Sequence, residues 1–366
     1  MRVLALLTDA FVGQGGIARY NQALIRAMAS SDVVREIVVL PRHGNVEGNP
    51  LPDGVTQLPP VASRICYSVR SVRLALAGGP FDTVFCGHLY MCPLAASVSC
   101  LLGVPLWLQL HGIEAFEMPS LLVRKAAESA TITTAVSRYT RRRYLQWADA
   151  DPACVRVLPN IFESQFVPGP KPQHLVERYG LQGRKVLLTV SRLASSERYK
   201  GHDRVISVLP KILSRYPDII YVIVGDGDDR SRIQELAETS GVAYAIRLLG
   251  HVADRDLPDY FRMADAFVMP STGEGFGIVY LEAAASGIPV IAGNSDGSAD
   301  ALADGVLGML IDPADLNQLS GAIVDALEAP SRRPPSGVDR FAFPGFSRHA
   351  GGILGRISQA RISTPA

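Results

Sequence analysis

Short, mainly apolar runs punctuate this chain, separated by longer stretches in which apolar positions recur at three- and four-residue spacing. The runs are Val3–Leu7, Ile37–Leu40, Thr83–Cys86, Leu106–Leu110, Thr131–Ala135 and Val155–Leu158. A second set follows at Val186–Val190, Ile219–Val224, Ile246–Leu249, Ala266–Met269, Val290–Ala292 and Met309–Ile311. The continuous run Val3–Leu7, apolar rather than alternating, predicts a strand covered on both faces. With helical periodicity between them, the runs predict α/β layers built on parallel sheets. Pro59-Pro60, Gly78-Gly79-Pro80 and Asp151-Pro152 mark turns within the first set. The proline- and glycine-rich stretch between the two sets, from Pro159-Asn160 through Pro168-Gly169-Pro170-Lys171-Pro172, reads as a linker. Three parts are therefore expected: 1–165, 166–340 and a tail, 341–366. In the tail, Phe341-Ala342-Phe343-Pro344-Gly345-Phe346 is expected to precede a weakly apolar helix ending near Ile362.

The most informative stretch is Gly273–Gly293, GEGFGIVYLEAAASGIPVIAG. Gly273, Gly275 and Gly277 lack Cβ atoms, so backbone N–H groups can come close to a ligand. A helix is expected to start at Gly277 or Ile278, with first-turn amides that lack intrahelical partners. Such amides, at the positive end of the helix dipole, suit a phosphate. Gly287 and Pro289 stop the helix, and a strand follows. Glu274 in the loop and Glu282 on the helix bracket this anion site. Carboxylates are at ease there if they hold neutral hydroxyls, such as those of a sugar beside a diphosphate.

Glu274-(x7)-Glu282 with Gly275-Phe276-Gly277 in register resembles the signature of the retaining GT-B glycosyltransferases of family 4. The resemblance implies two facing Rossmann-like, doubly wound domains with a cleft between them, the first on the acceptor side and the second holding the nucleotide sugar, with the tail 341–366 returning to the first. It implies that Glu274 contacts the donor sugar and Glu282 the nucleotide ribose. The amides of Ile278 and Val279, after Gly275, Phe276 and Gly277, would bind the diphosphate. Ser191-Arg192-Leu193 after one strand and Lys200-Gly201-His202 opening the next helix match the family's diphosphate clamp, formed by Arg192 and Lys200. A guanidinium grips two phosphate oxygens and an ammonium acts as a point charge. Gly250-His251-Val252, at another strand end, matches the segment that holds the nucleotide base through backbone groups near Val252.

In the first part, Gly13-Gln14-Gly15-Gly16-Ile17-Ala18 opens a helix reaching about Met28. It also satisfies the dinucleotide fingerprint G-x-G-x-x-A. Against a nicotinamide enzyme, five residues separate Leu7 from Gly13 and the second strand ends in Pro41-Arg42 with no acid for a ribose. The family reading instead places Gly15 and Gly16 near the donor diphosphate or the acceptor. His111-Gly112 falls at a strand's carboxyl end and matches the family's histidine beside the donor sugar and leaving phosphate. His88 carries no such match and reads as structural.

Asp226-Gly227-Asp228-Asp229 invites a metal reading, but its position after a strand and before a helix predicts a plain capping loop. The resemblance agrees, implying chemistry with no metal and no cofactor beyond the nucleotide diphosphate sugar donor. Five cysteines without a C-x-x-C pair read as reduced thiols. A net charge of +1 gives no reason to expect nucleic acid. The chain opens directly into a strand too short for a signal peptide, and no run of apolar residues would span a bilayer. A cytoplasmic protein is expected, peripheral on the inner face of the cytoplasmic membrane.

The implied reaction is transfer of a hexose to a hydroxyl of a glycan or lipid-linked acceptor with retention of configuration. The GGIARY and EGFGIVYLEA variants lie nearest those of mannosyltransferases using GDP-mannose. The alternatives are a GT-B nucleotide-sugar epimerase and a non-catalytic nucleotide-sugar-binding protein. Arg64, Arg70 and Arg73 flank a helical stripe of Ile65, Val69, Val72 and Leu76. Arg138, Arg141, Arg142 and Arg143 follow later. Such a basic helix either rests on an anionic membrane surface or packs its apolar stripe on the sheet.

Overall fold

A computed structural model describes residues 1–11, 13, 15–44, 50–329 and 331–363. Gln14 of the glycine loop and Pro330 of the tail lie outside the described residues. The chain forms two compact units, Met1–Ile161 with Phe343–Ala366, and Phe162–Ala342.

The first unit carries seven parallel strands: β1 (Arg2–Leu7), β2 (Glu36–Pro41), β3 (Val55–Gln57), β4 (Thr83–Cys86), β5 (Leu106–Leu110), β6 (Ile132–Ala135) and β7 (Val155–Val157). Their order is β3-β2-β1-β4-β5-β6-β7. The second unit has β8 (Val186–Val190), β9 (Ile220–Val224), β10 (Ile246–Gly250), β11 (Ala266–Met269), β12 (Val290–Gly293) and β13 (Met309–Ile311), ordered β10-β9-β8-β11-β12-β13. The strand interiors are buried throughout β4, β5, β8 and β11, as continuous apolar runs require. Each order reverses direction once, between β1 and β4 and between β8 and β11. Open α/β sheets bind ligands outside the carboxyl ends of strands at such a reversal.

Three local expectations need correction. β3 is not among the expected strands, because a three-residue edge strand with only Val55 buried leaves no apolar run to read. The last helix begins at Phe343 and includes Pro344 and Gly345 rather than following them. Proline sits without penalty in a first turn, where its missing N–H would have had no partner. The third concerns the helix Arg64–Ala77. Its buried face is Tyr67, Ser71 and Ala75, and the Tyr67 hydroxyl donates to the Leu40 carbonyl at 2.7 Å. Ile65 and Leu76 are 77% and 69% exposed, Val69 is also exposed, and only Val72 of the stripe leans on the core. The apolar stripe therefore faces outward beside Arg64 and Arg73, and does not pack on the sheet.

The Phe343–Ser363 helix packs on the Gly16–Ala29 helix within the first unit. The Tyr20 and Phe346 rings meet edge to face at 5.8 Å, and the Ser30 and Ser347 hydroxyls lie 3.0 Å apart.

Candidate functional site

The reversal between β8 and β11 gathers most of the chemically distinctive residues of the second unit. β8 ends at Val190, and Ser191-Arg192-Leu193 continues it beside the loop after β9. The Ser191 and Leu193 amides donate to the carbonyls of Val224 (2.9 Å) and Asp226 (2.9 Å). A Cβ on Gly225 or Gly227 would come within 1.8 Å of Ser191 O or 2.2 Å of Leu193 O. The glycines of the Gly225-Asp226-Gly227 stretch are thus explained by backbone contact with the Arg192 loop. The two carboxylates that follow are also engaged: Asp228 accepts from the Ser195 amide (2.8 Å) and hydroxyl (2.6 Å), and Asp229 pairs with Arg198 and Arg232.

Lys200 ends a 3-10 turn, Ser195–Lys200, and Gly201 turns the chain at φ 84° into the helix His202–Arg215. A Cβ there would fall 2.5 Å from the Pro270 carbonyl, so glycine lets the chain just after Lys200 pass directly against the residue that follows β11. His202 Nε2 lies 2.9 Å from the Ser191 hydroxyl and ties the two loops together. Burial, helped by the Lys200 charge, pushes its pKa down to about 4, so the ring is neutral near pH 7.

These loops bring Arg192 and Lys200 together, and the carboxylate between them is Glu197. Arg192 donates to Glu197 Oε1, while Lys200 Nζ lies 3.6 Å from Glu197 Oε2 and 2.7 Å from Glu274 Oε1. Two cations and two carboxylates form one chain of contacts, Arg192–Glu197–Lys200–Glu274.

The loop holding Glu274 is fastened from beneath by Asp296. Its Oδ2 accepts from the Glu274 amide (2.7 Å) and the Ser271 hydroxyl (2.9 Å), and its Oδ1 from the Ser298 amide (2.9 Å). Burial raises the Asp296 pKa, opposed by these hydrogen bonds. Gly275 and Phe276 are buried, and the Phe276 ring meets Phe341 at 5.9 Å, so what this segment can offer a ligand is mainly backbone. Gly277 takes φ 84° and caps the helix Ile278–Ala285 without any side-chain hydrogen bond. The first backbone bond there runs from Tyr280 N to Gly277 O, so Ile278 and Val279 precede the first intrahelical donor. Glu282 is fully buried one turn on. Helical side chains lean toward the N-terminus, which directs its carboxylate toward the same turn. Val252, half-buried, follows β10, whose last residue Gly250 accepts from the Gly225 amide at 2.8 Å.

In the first unit, Gly15 (φ 91°) and Gly16 open the Gly16–Ala29 helix and are exposed. A Cβ on Gly15 would touch nothing within 4 Å, so the positive φ, not crowding, calls for glycine. His111 follows β5 and lies 2.9 Å through Nε2 from the Gly87 carbonyl, which can only accept. That bond places the proton on Nε2 and leaves Nδ1 as an acceptor. Burial lowers the His111 pKa against the opposing Glu114 charge, and the ring stays neutral. The His111 amide donates to Glu114 at 2.5 Å. His88 lies beside it, ring centroids 6.3 Å apart, with Nδ1 accepting from the Tyr90 amide, so it belongs to the surroundings of His111.

Sequence reasoning named Arg192, Lys200, Glu274 and Glu282 but missed Glu197, Asp296 and Glu114. Glu197 offered one signal, a carboxylate between two expected clamp cations. Asp296 offered none.

Residues 14–165 match the profile described as Glycosyltransferase Family 4, and residues 175–335 match Glycosyl transferases group 1. A GDP-mannose-dependent alpha-(1-6)-phosphatidylinositol monomannoside mannosyltransferase of Mycolicibacterium smegmatis is 36% identical over 224 residues, 59% of this chain and 58% of that protein. A phosphatidyl-myo-inositol mannosyltransferase of Mycobacterium tuberculosis is 32% identical over 272 residues, 71% of this chain and 67% of that protein. Among solved structures, Anabaena Alr3699/HepE in complex with UDP superposes with TM-score 0.77 at 21% identity, covering 97% of this chain and 100% of that one. Sucrose-phosphate synthase of Thermosynechococcus elongatus gives 0.76 at 20% identity, over 98% and 100%. The chain thus spans little more than half the length of the first of these relatives, and likeness at 20% identity speaks for the fold alone.

Proposed function

Because the chain belongs to the family 4, group 1 glycosyltransferases and has the GT-B fold, we propose that it moves mannose from GDP-mannose to a hydroxyl of a membrane glycolipid, with retention and without a metal. One observation carries the donor half: Arg192 and Lys200 converge with Glu274 at the β8/β11 reversal, beside an uncapped helix N-terminus. Two cations and the Ile278 and Val279 amides suit the charge that develops on a departing diphosphate, where preorganised donors lower the barrier most. Glu274 orients the sugar and Glu282 the ribose, and Val252 lies where the base would rest. As the glycosidic bond to the diphosphate breaks, the acceptor oxygen bonds the anomeric carbon from the same face. The leaving phosphate oxygen takes the acceptor proton, so no enzymic nucleophile is needed. Over the first sheet, neutral His111 offers Nδ1 to a substrate hydroxyl, and the exposed Gly15-Gly16 turn offers backbone.

The choice of mannose and a phosphatidylinositol-type acceptor rests on the names of the relatives. The acceptor's membrane setting is supported by the outward stripe of Ile65, Val69 and Leu76 among arginines. No helix among the described residues is long and apolar enough to cross a membrane. Attachment would therefore be peripheral, at an anionic cytoplasmic surface.

The test is a thermal-shift screen against GDP-, UDP-, ADP- and dTDP-sugars, followed by transfer assays on phosphatidylinositol vesicles and on soluble oligosaccharides. A ligand that binds only the folded state raises the melting point with its affinity. GDP-mannose should shift melting most and label the lipid. A larger shift with another nucleotide sugar, or transfer to soluble glycans alone, would replace the donor or the acceptor respectively.

A further inference from the structure

We infer that Glu197 is an internal anion that competes with the donor diphosphate for Arg192 and Lys200 and so speeds release of the nucleoside diphosphate product. The inference rests on the reading of those two cations as the diphosphate clamp. Three observations carry it. First, the Glu197 side chain is 9% exposed whereas that of Arg192 is 78% exposed, so a largely solvated guanidinium folds back onto a buried carboxylate. Second, Glu197 Oε2 is buried without a hydrogen-bond partner among the described residues, its cationic neighbour Lys200 standing off at 3.6 Å. Third, Lys200 gives its short contact, 2.7 Å, to Glu274 instead. The clamp cations are thus already neutralised, by one carboxylate expected to face the sugar and one with no ligand of its own.

A buried acid with an unsatisfied oxygen is a poor final partner for two cations. Phosphate oxygens, which take guanidinium bonds in pairs, can displace it from Arg192. While the diphosphate is bound, Glu197 remains within Coulomb reach and opposes it. Once the sugar has gone, the same carboxylate is the nearest replacement partner for Arg192 and, behind Glu274, stands within reach of Lys200, and so favours departure of the product. Glu197 touches no reacting atom in this scheme. It acts through Arg192 and Lys200 as a positioning and charge-balancing residue.

The experiment is calorimetric titration of the full chain with GDP and, in parallel, UDP, for wild type, Glu197→Gln, Glu197→Asp and Lys200→Ala. Neutral Gln keeps an oxygen for Arg192 but removes the competing charge, so affinity for the better nucleotide should rise about tenfold. Asp draws the charge back by one methylene and should give a smaller gain, about threefold. Product inhibition of transfer should tighten in the same order. A merely structural role predicts the reverse, since a loosened clamp loop binds more weakly. Equal or weaker binding by Glu197→Gln, with Lys200→Ala also weakened, overturns the inference and leaves the clamp standing. Undiminished binding by Lys200→Ala instead overturns the clamp. Should Glu197→Gln fail to fold, Glu197→Asp decides alone: a gain supports the inference, and no gain overturns it.

Discussion

Lys200 pairs with two of the carboxylates around the proposed donor site, Glu274 and Glu197. Lys200→Ala removes the charge at 2.7 Å from Glu274 and 3.6 Å from Glu197. GDP binding should weaken by roughly 1.5–3 kcal/mol, the usual worth of a charge-assisted bond. Glu274→Ala should abolish transfer while calorimetry still finds the nucleotide bound, because in the proposed reading this carboxylate serves the sugar and not the nucleotide. Unchanged turnover in Glu274→Ala would remove that residue from the site. His202 gives a pH signature. Its pKa falls from 6.5 to about 4 on folding, so between those values the unfolded chain holds the extra proton. Its contribution is therefore whole above about pH 6.5 and declines as pH falls toward 4, by on the order of 3 kcal/mol in all. A His202→Gln variant should show a flatter stability profile by chemical denaturation over that window. At this scale the residues that the structure gathers at the β8/β11 reversal, Arg192, Lys200 and Glu274, could be read from motif and spacing. Glu197 and Asp296 could not, because they act by holding other residues, and loop packing leaves no periodic trace.

Among the elements, the helix Ile278–Ala285 owes its open N-terminus to Gly277. A Cβ at that position would meet Tyr280 Cε2 at 2.4 Å, and φ 84° strains any L-residue. Gly277→Ala should cost roughly 1–3 kcal/mol in stability and lower GDP affinity together. Full binding with an unchanged melting point would contradict this account of the turn. The Asp226–Asp229 loop serves as backing for the Arg192 loop, so a chelator should leave the transfer rate unaltered. Inactivation by EDTA with rescue by manganese or magnesium would require another reading. For the Arg64–Ala77 helix, co-sedimentation should occur with anionic but not neutral vesicles and be abolished at high salt or in an Arg70/Arg73 double alanine variant. Equal recovery in every supernatant would favour a soluble acceptor. Strand cores were legible because burial on both faces demands unbroken apolar runs. The orientation of the Arg64–Ala77 helix was not, since one large residue with a partnered hydroxyl, Tyr67, outweighs Ile65, Val69 and Leu76 in deciding which face turns inward.

For the whole molecule, the first unit is discontinuous: its core includes Phe346, Ala350, Ile353, Leu354 and Ile357 from the last helix. Fully burying a large apolar side chain contributes about 1.5–3 kcal/mol. Deleting residues 343–366 should therefore remove stability comparable to that of an ordinary domain, about 5–15 kcal/mol. Limited proteolysis should then cut within 1–161 while 162–342 stays resistant. Equal resistance of both parts would show that the last helix is dispensable. The two sets of strands could be read in the sequence. The return of the tail was signalled only by family resemblance, since a weakly apolar segment does not say which sheet it will cover. The same arrangement also has a consequence during synthesis. The Gly16–Ala29 helix emerges from the ribosome early, but its covering helix is made only after all of 162–342. At roughly 5–20 residues per second that interval lasts roughly ten seconds or more. Through it the second unit can close its own core, whereas the first must wait with an apolar seam bare, a natural client for a chaperone on the nascent chain.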